Sequence, residues 1–278
     1  MSKRAAIRTA LGWSTPERIV VRGLDLPTEI IGRLNLGDMA FLELTGRVPT
    51  PAESAVFNAI AVTLVEHGIT PSALAARLTL LGAPEAMQAA VGAGLCGLGS
   101  VFMGSTYGAA RMLLKAGSTG PVQDVARIAA EVVAAYRSEG RTVPGIGHPL
   151  HKDGDPRVEA LFGVAEAHGY SGRHVALMRA IAAEAERVHA RKLPINATGA
   201  IAAIACELGL SATMCHGIAV MARAIGLVAH CAEEMETPIA ARCGLKRKRK
   251  PRETPLPRAR CRERCIHSKP NIQSGIPS

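Results

Sequence analysis

Apolar residues recur along most of this chain at helical spacing, and short polar or Gly/Pro stretches separate one apolar run from the next. Ile19-Val20-Val21-Arg22, between Pro16 and Gly23, reads as a short strand and one of very few. Residues 26–45 read as one or two helices ending at Gly46. Thr50-Pro51-Ala52-Glu53 is a helix start: Thr caps, Pro takes the first helical position and Glu completes a capping box, with the helix running to about His67-Gly68. Thr70-Pro71 opens the next helix through the same chemistry, and it ends near Gly82. Residues 84–98 are Ala- and Gly-rich and apolar almost all round, which predicts a buried helix. After a Gly-rich break at 97–104, the pattern predicts helices at about 105–117, 121–139, 156–168, 172–191, 198–209 and 212–236. Helix after helix with short links makes an all-α fold.

Residues 212–232 are apolar enough to raise the question of a membrane span. Arg223 lies mid-segment, with His216 and His230 seven residues to either side. Seven residues are about two helical turns, so the three share nearly one face, which is costly in lipid. The pattern favours a buried helix with a polar stripe facing a pocket, and no membrane partner is expected.

Composition refines this picture. The chain has 278 residues, 48% hydrophobic and 3% aromatic, enough for a large core of close-packed helices. Its formal charge of +10 is uneven: residues 243–278 hold 11 Lys/Arg and 2 Asp/Glu of the chain's 33 and 23, leaving 22 basic and 21 acidic residues for the body. The high pI therefore says nothing about the body's partners. The Pro/Arg-rich tail, 243–278, cannot bury a core and is expected to be disordered. Its abrupt onset, where an amphipathic helix is continuing, suggests an altered reading frame or a non-native terminus. It lacks interleaved aromatics, so nucleic-acid binding through it is a minor reading, not the expected function. Of seven cysteines, Cys96, Cys206, Cys215 and Cys231 read as small core residues. An odd count, and basic residues 1–10 without a following apolar segment, point to a reducing cytoplasm. Cys261 and Cys265 resemble half a metal site without a second pair, so no metal is expected.

The candidate chemistry centres on Val143-Pro144-Gly145-Ile146-Gly147-His148, followed by Lys152 and Asp155-Pro156-Arg157. Glycines let backbone approach a ligand and reach φ > 0, and loop N–H groups can point at anionic oxygen. His148 can move a proton or hold a polarised carbonyl near pH 7. Arg157 offers a planar fork for a carboxylate. Asp155 before Pro156 is extended, and Pro156 suits a first helical turn. The plain alternative is a Gly/Pro loop with a surface His and a solvated Arg. Elsewhere His67 reads as capping carbonyls at a helix end, and Asn196-Ala197-Thr198 as a helix start. A buried Arg223 requires an anionic partner, either a ligand or an internal pair with Glu233 or Glu234.

Together the loop, the distance and the Asp-Pro-Arg resemble the active-site signature of the citrate synthase superfamily, and Gly-Ile-Gly-His is similar to the citryl-CoA-cleaving module of ATP-citrate lyase. The resemblance covers roughly residues 17–242. It implies a large helical domain, 1–103 with 208–242, and a smaller mobile helical domain, 104–207, closing over substrate in a homodimer. By the same resemblance His67, in Glu66-His67-Gly68, binds the oxo-acid, as do Arg157 and Arg223 through carboxylates, with Asn196 beside them. His148 binds the oxygen that separates oxaloacetate from citrate. Val143, Pro144, Gly145, Ile146, Gly147 and Lys152 lie near the CoA nucleotide.

Two positions depart from the synthase pattern. Phe102 stands where a synthase has the His that polarises the thioester carbonyl, at the family's spacing from His148; a benzene ring cannot do this, whereas the lyase module also has Phe. Thr198 stands where the family has its general-base Asp, and a hydroxyl has no useful basicity near pH 7. The resemblance therefore implies an enzyme that makes or breaks the carbon–carbon bond between acetyl-CoA and oxaloacetate, first of all a citryl-CoA lyase, with a synthase-type acyltransferase as alternative. The CoA thioester is substrate or product, and no tightly bound cofactor is implied. The departures motivate a second reading, a non-catalytic member binding citrate or acyl-CoA.

Overall fold

Local capping chemistry sets most element boundaries in the computed structural model, which describes residues 8–99, 104–117, 124–147 and 152–245. The chain opens with β1 (Gly12–Ser14), β2 (Ile19–Val21) and β3 (Leu24–Asp25), an antiparallel sheet in that order with Trp13 opposite Val20 and Val20 opposite Asp25. The predicted strand is present, but it is the centre of three. Its neighbours are too short to show a period, and Arg22 and Gly23, at φ 51° and 87°, make the tight turn between β2 and β3. Residues 26–45 hold less helix than expected. Leu26–Ile30 is a single π-helical turn, and α1 (Leu36–Thr45) starts only where Asn35 accepts the Asp38 N–H. It ends as predicted at Gly46, φ 82°.

In α2 (Pro51–Val65) the predicted capping box forms in both directions between Thr50 and Glu53. Arg47 adds an ion pair to Glu53 and, with the Thr50 N–H, holds that carboxyl down to about 2. Thr70 caps α3 (Pro71–Gly82) by accepting the Ala73 N–H. Next comes α4 (Met87–Cys96), and here the expectation of a buried helix fails. Only Ala90 and Gly94 are buried, because α4 touches α3 and its neighbours along one small-residue stripe. Exposing alanine costs little, so an apolar surface side is tolerated. Cys96 is likewise exposed, whereas Cys206, Cys215 and Cys231 are buried free thiols as expected.

The remaining helices are α5 (Gly104–Gly117), α6 (Val125–Ser138), α7 (Pro156–Ala167), α8 (Arg173–His189), α9 (Ala197–Glu207), α10 (Ala212–Glu236) and α11 (Ala240–Leu245). The all-α expectation holds. Helix α9 is buried along almost its whole length and packs against α5, α7 and α8; its alanines allow that close approach. Long and apolar enough by composition to cross a membrane, α10 instead packs on α2, α3, α4, α5 and α9. Met1–Ala241 cluster as one compact unit. The helix α11 runs into residues 243–245, where the sequence pattern placed the start of the tail. Residues 246–278, with Cys261 and Cys265, lie outside the described residues.

Candidate functional site

The glycine loop is tied to the start of α9 by three hydrogen bonds, two of backbone and one of side chain. Gly145 and Gly147 take φ 87° and 74°, as the loop's glycines predict. The Asn196 N–H donates to the Gly145 carbonyl at 3.0 Å, and the Gly147 N–H to the Pro194 carbonyl at 2.7 Å, setting Ile146 opposite Ile195. Asn196 Nδ2 donates to the Gly147 carbonyl at 2.7 Å. A Cβ on Gly145 would lie 2.7 Å from Gly199 Cα, so the approach requires glycine on both sides.

Asn196 Oδ1 accepts the Gly199 N–H at 3.1 Å and the Thr198 hydroxyl at 2.6 Å. Thr198 also lies 2.8 Å from Ser105 Oγ. Since an amide oxygen only accepts, Thr198 spends its proton on Asn196, and Ser105 donates to Thr198. The position that resembles a general base thus presents a chain of aligned hydroxyls with no carboxylate. Ser105 was not singled out by the sequence. It is one ordinary serine in the first turn of α5, and only the packing of α5 on α9 brings it here.

Asp155 sits behind this loop, 4% exposed. It accepts the Arg157 N–H at 3.1 Å, Arg157 Nε at 2.9 Å, Arg157 Nη2 at 2.8 Å and the Ala197 N–H at 3.0 Å. Burial pushes its carboxyl up, but these donors outweigh it and hold it at about 2. One edge of the Arg157 fork is therefore engaged within the chain, with the side chain still 30% exposed.

On the loop's other side is a cleft of about 590 Å³, lined by Val143, Ile146 and Gly147 and by Arg141, Lys152, His189, Arg191 and Lys192. Asp153, which also lines it, pairs with Lys192 at 3.3 Å. Cations outnumber it, so the cleft suits a polyanion. Pro144 packs close over Gly108 of α5.

A second cluster lies at the end of α2. Glu66 accepts the His67 N–H at 2.8 Å and the Gly68 N–H, and Gly68 takes φ 71°. Burial works to raise the Glu66 carboxyl, but these N–H donors and His230 bring it below the usual range. Helix α10 crosses here at Gly226, where any Cβ would clash with the Val65 carbonyl. Arg223 is one turn earlier on α10, 6% exposed. Its Nε and Nη1 have no hydrogen-bond partner among the described residues, and burial lowers its pKa against the opposing charge of Glu66. The internal pair with Glu233 or Glu234 does not form, because both acids bind Arg77 of α3. On the same helix His216 Nδ1 is buried with no hydrogen-bond partner among the described residues, while His230 is engaged by Arg77 and Glu66.

The structure thus joins Gly145, Ile146, Gly147, Asn196, Thr198 and Arg157 in one cluster, with Val143 and Lys152 on the adjoining cleft. It places His67 and Arg223 in another, both next to Glu66. His148 and Phe102 lie outside the described residues. Among the described residues no three His, Cys, Asp or Glu side chains are placed to hold a metal ion.

An all-α protein with a glycine loop backed by a basic cleft, and a buried arginine with two guanidinium nitrogens that no described residue hydrogen-bonds, is built to take anionic ligands. The family model "Citrate synthase, C-terminal domain" matches residues 33–244, and the chain belongs to this family of enzymes. No curated protein matches it. Among solved structures, citryl-CoA lyase from Hydrogenobacter thermophilus is similar at TM-score 0.76 and 29% identity over 98% of each chain. ATP citrate lyase of Methanosaeta concilii, in complex with (3S)-citryl-CoA, shares the fold at TM-score 0.69 and 20% identity, over 85% of this chain and 40% of that one. Citrate synthase from Thermotoga maritima shares it at TM-score 0.59 and 20% identity, over 74% and 55%.

Proposed function

We propose that this chain is a citryl-CoA lyase, cleaving (3S)-citryl-CoA to acetyl-CoA and oxaloacetate. The observation that carries the reading is the likeness to a citryl-CoA lyase over 98% of both chains. The site is consistent with it. Arg223 offers two unpartnered buried nitrogens to a substrate carboxylate beside His67. The basic cleft offers CoA its Lys152, Arg191 and loop backbone. In cleavage the citryl hydroxyl gives up a proton and the acetyl carbon gains one. Thr198 and Ser105 can orient a water for the second transfer but cannot supply the proton as an acid would.

The finer organisation belongs to the same proposal. The loop cluster lies within 104–207 and the His67–Arg223 cluster outside it, so closure of 104–207 over the substrate would complete the site. Exposed Ile225, Val228 and Met235 on α10 and Leu78 and Leu81 on α3 offer a homodimer interface. Four free cysteines among the described residues suit a cytoplasmic location.

The hydroxyl at position 198 favours a second reading, a family member that binds citrate or acyl-CoA without turnover. The deciding experiment is acetyl-CoA and oxaloacetate release from citryl-CoA by the chain and by Thr198→Asp. Turnover by the parent supports the lyase. Activity only in the variant, higher by roughly two to four decades, means a scaffold lacking its base. Silence in both with citrate still bound supports the binder.

A further inference from the structure

A run of hydrogen bonds leads from the core of the protein to the backbone of His67. Arg77 on α3 is fully buried. Its Nε and Nη2 lie 3.1 and 2.9 Å from Nδ1 of His230 on α10. A guanidinium only donates, so Nδ1 is the bare nitrogen of a neutral ring and the proton sits on Nε2. That Nε2 lies 3.2 Å from Glu66 Oε1 and 3.1 Å from Oε2. Glu66 in turn accepts the N–H groups of His67 and Gly68. Arg77 cannot turn away, because Nη1 is held by Glu234 at 2.9 Å and Nη2 also meets Glu233. Glu234 is itself buried and accepts the N–H groups of Ile239 and Ala240.

The Glu66 side chain is 46% exposed, and besides the His67 and Gly68 N–H groups it is His230 that keeps it in place. Arg223 lies within electrostatic range of the same carboxylate. If Glu66 swung onto that guanidinium, it would neutralise the buried cation that a substrate carboxylate needs. We propose that His230, its tautomer fixed by Arg77, is a positioning residue for oxo-acid binding: it holds Glu66 on the His67–Gly68 amides, which fixes the His67 backbone and keeps Glu66 from closing an ion pair with Arg223. The binding half of this inference rests on the reading of His67 and Arg223 as the oxo-acid site. The positioning half does not.

The test uses the full chain with His230→Ala, His230→Gln and Glu66→Ala. Gln presents an acceptor to Arg77 and a donor to Glu66 about as far apart as the ring nitrogens. Glu66→Ala cuts the same link at its exposed end and leaves the buried core intact. Calorimetry reads oxaloacetate and CoA affinity, and amide hydrogen exchange reads His67 and Gly68. His230→Ala and Glu66→Ala should weaken oxaloacetate about tenfold or more, leave CoA within about twofold, and speed exchange at His67 and Gly68 but not inside α2. His230→Gln should recover most of both signals. Unchanged exchange, equal loss of both ligands, or no recovery by Gln overturns the inference. Faster exchange in the two alanine variants, when the parent itself never binds oxaloacetate, upholds the positioning role and sinks the substrate reading instead.

Discussion

Asn196 donates its side-chain amide to the Gly147 carbonyl at 2.7 Å while its oxygen caps α9 through the Gly199 N–H at 3.1 Å. One side chain therefore sets both the glycine loop and the helix behind it. Two substitutions separate these tasks. Asn196→Asp keeps a capping oxygen but replaces the donor with a second acceptor facing a carbonyl. Asn196→Ala loses both. Urea unfolding should show Asn196→Ala less stable than Asn196→Asp by about 1 kcal/mol, the worth of the cap. CoA affinity should fall in both, since both free the loop. A CoA affinity retained in Asn196→Asp would mean that Asn196 does not hold the loop.

Gly145→Ala tests the loop from its other side. The residue sits at φ 87°, and its Cβ would press on Gly199. Positive φ costs about 1–2 kcal/mol and overpacking about 1–3 more, so unfolding should show a loss of about 2–5 kcal/mol. The strain falls on the loop next to the basic cleft, so CoA binding should weaken beyond what a distant destabilising change produces. An alanine accepted within about 0.5 kcal/mol would contradict the close packing of loop and helix.

Asp155 gives the chain an acid-sensitive joint. Its folded pKa, about 2, lies below the ordinary 3.8, so the stability it supplies is complete above about pH 4 and is lost as pH falls toward 2. Asp155→Asn should cost about 1.5–3 kcal/mol at pH 7. The gap between parent and variant should close as urea titrations move from pH 4 to pH 2. A gap independent of pH across that window would show that the carboxylate's charge is irrelevant.

Arg223 is predicted to be costly to the ligand-free protein. Arg223→Met fills similar space without desolvating a charge, and should raise the stability of the ligand-free chain by about 1–3 kcal/mol. The same change should abolish the thermal stabilisation that citrate gives the parent. If Arg223→Met is less stable than the parent, the guanidinium has an internal partner after all.

Much of this was legible in the sequence where chemistry is local. Thr50, Glu53, Thr70, Gly46 and Asn196 signal their caps within three or four residues, and each cap forms. The Gly145–Gly147 loop and the burial of Arg223 could be read the same way. What stayed hidden depends on partners far along the chain. Nothing near Arg77 indicates that it meets Glu233, Glu234 and His230, more than 150 residues on. Without that, Arg223 and the two acids look like natural partners. The α4 helix misled for a different reason: alanine and glycine suit a core and a surface alike, so composition could not say which side faced water. Strands of two and three residues are too short to carry a period at all.

Asp155 has one more consequence. It receives N–H groups from the first turn of α7 and from the first residue of α9. The positive ends of two helix dipoles thus converge on a carboxylate that belongs to the chain. Helix N-termini ordinarily attract whatever small anion is abundant, phosphate above all. Here that attraction is answered from within, so buffer anions gain nothing by docking at the junction. Recognition is left to groups farther out, where size and shape, not charge alone, decide which anion stays.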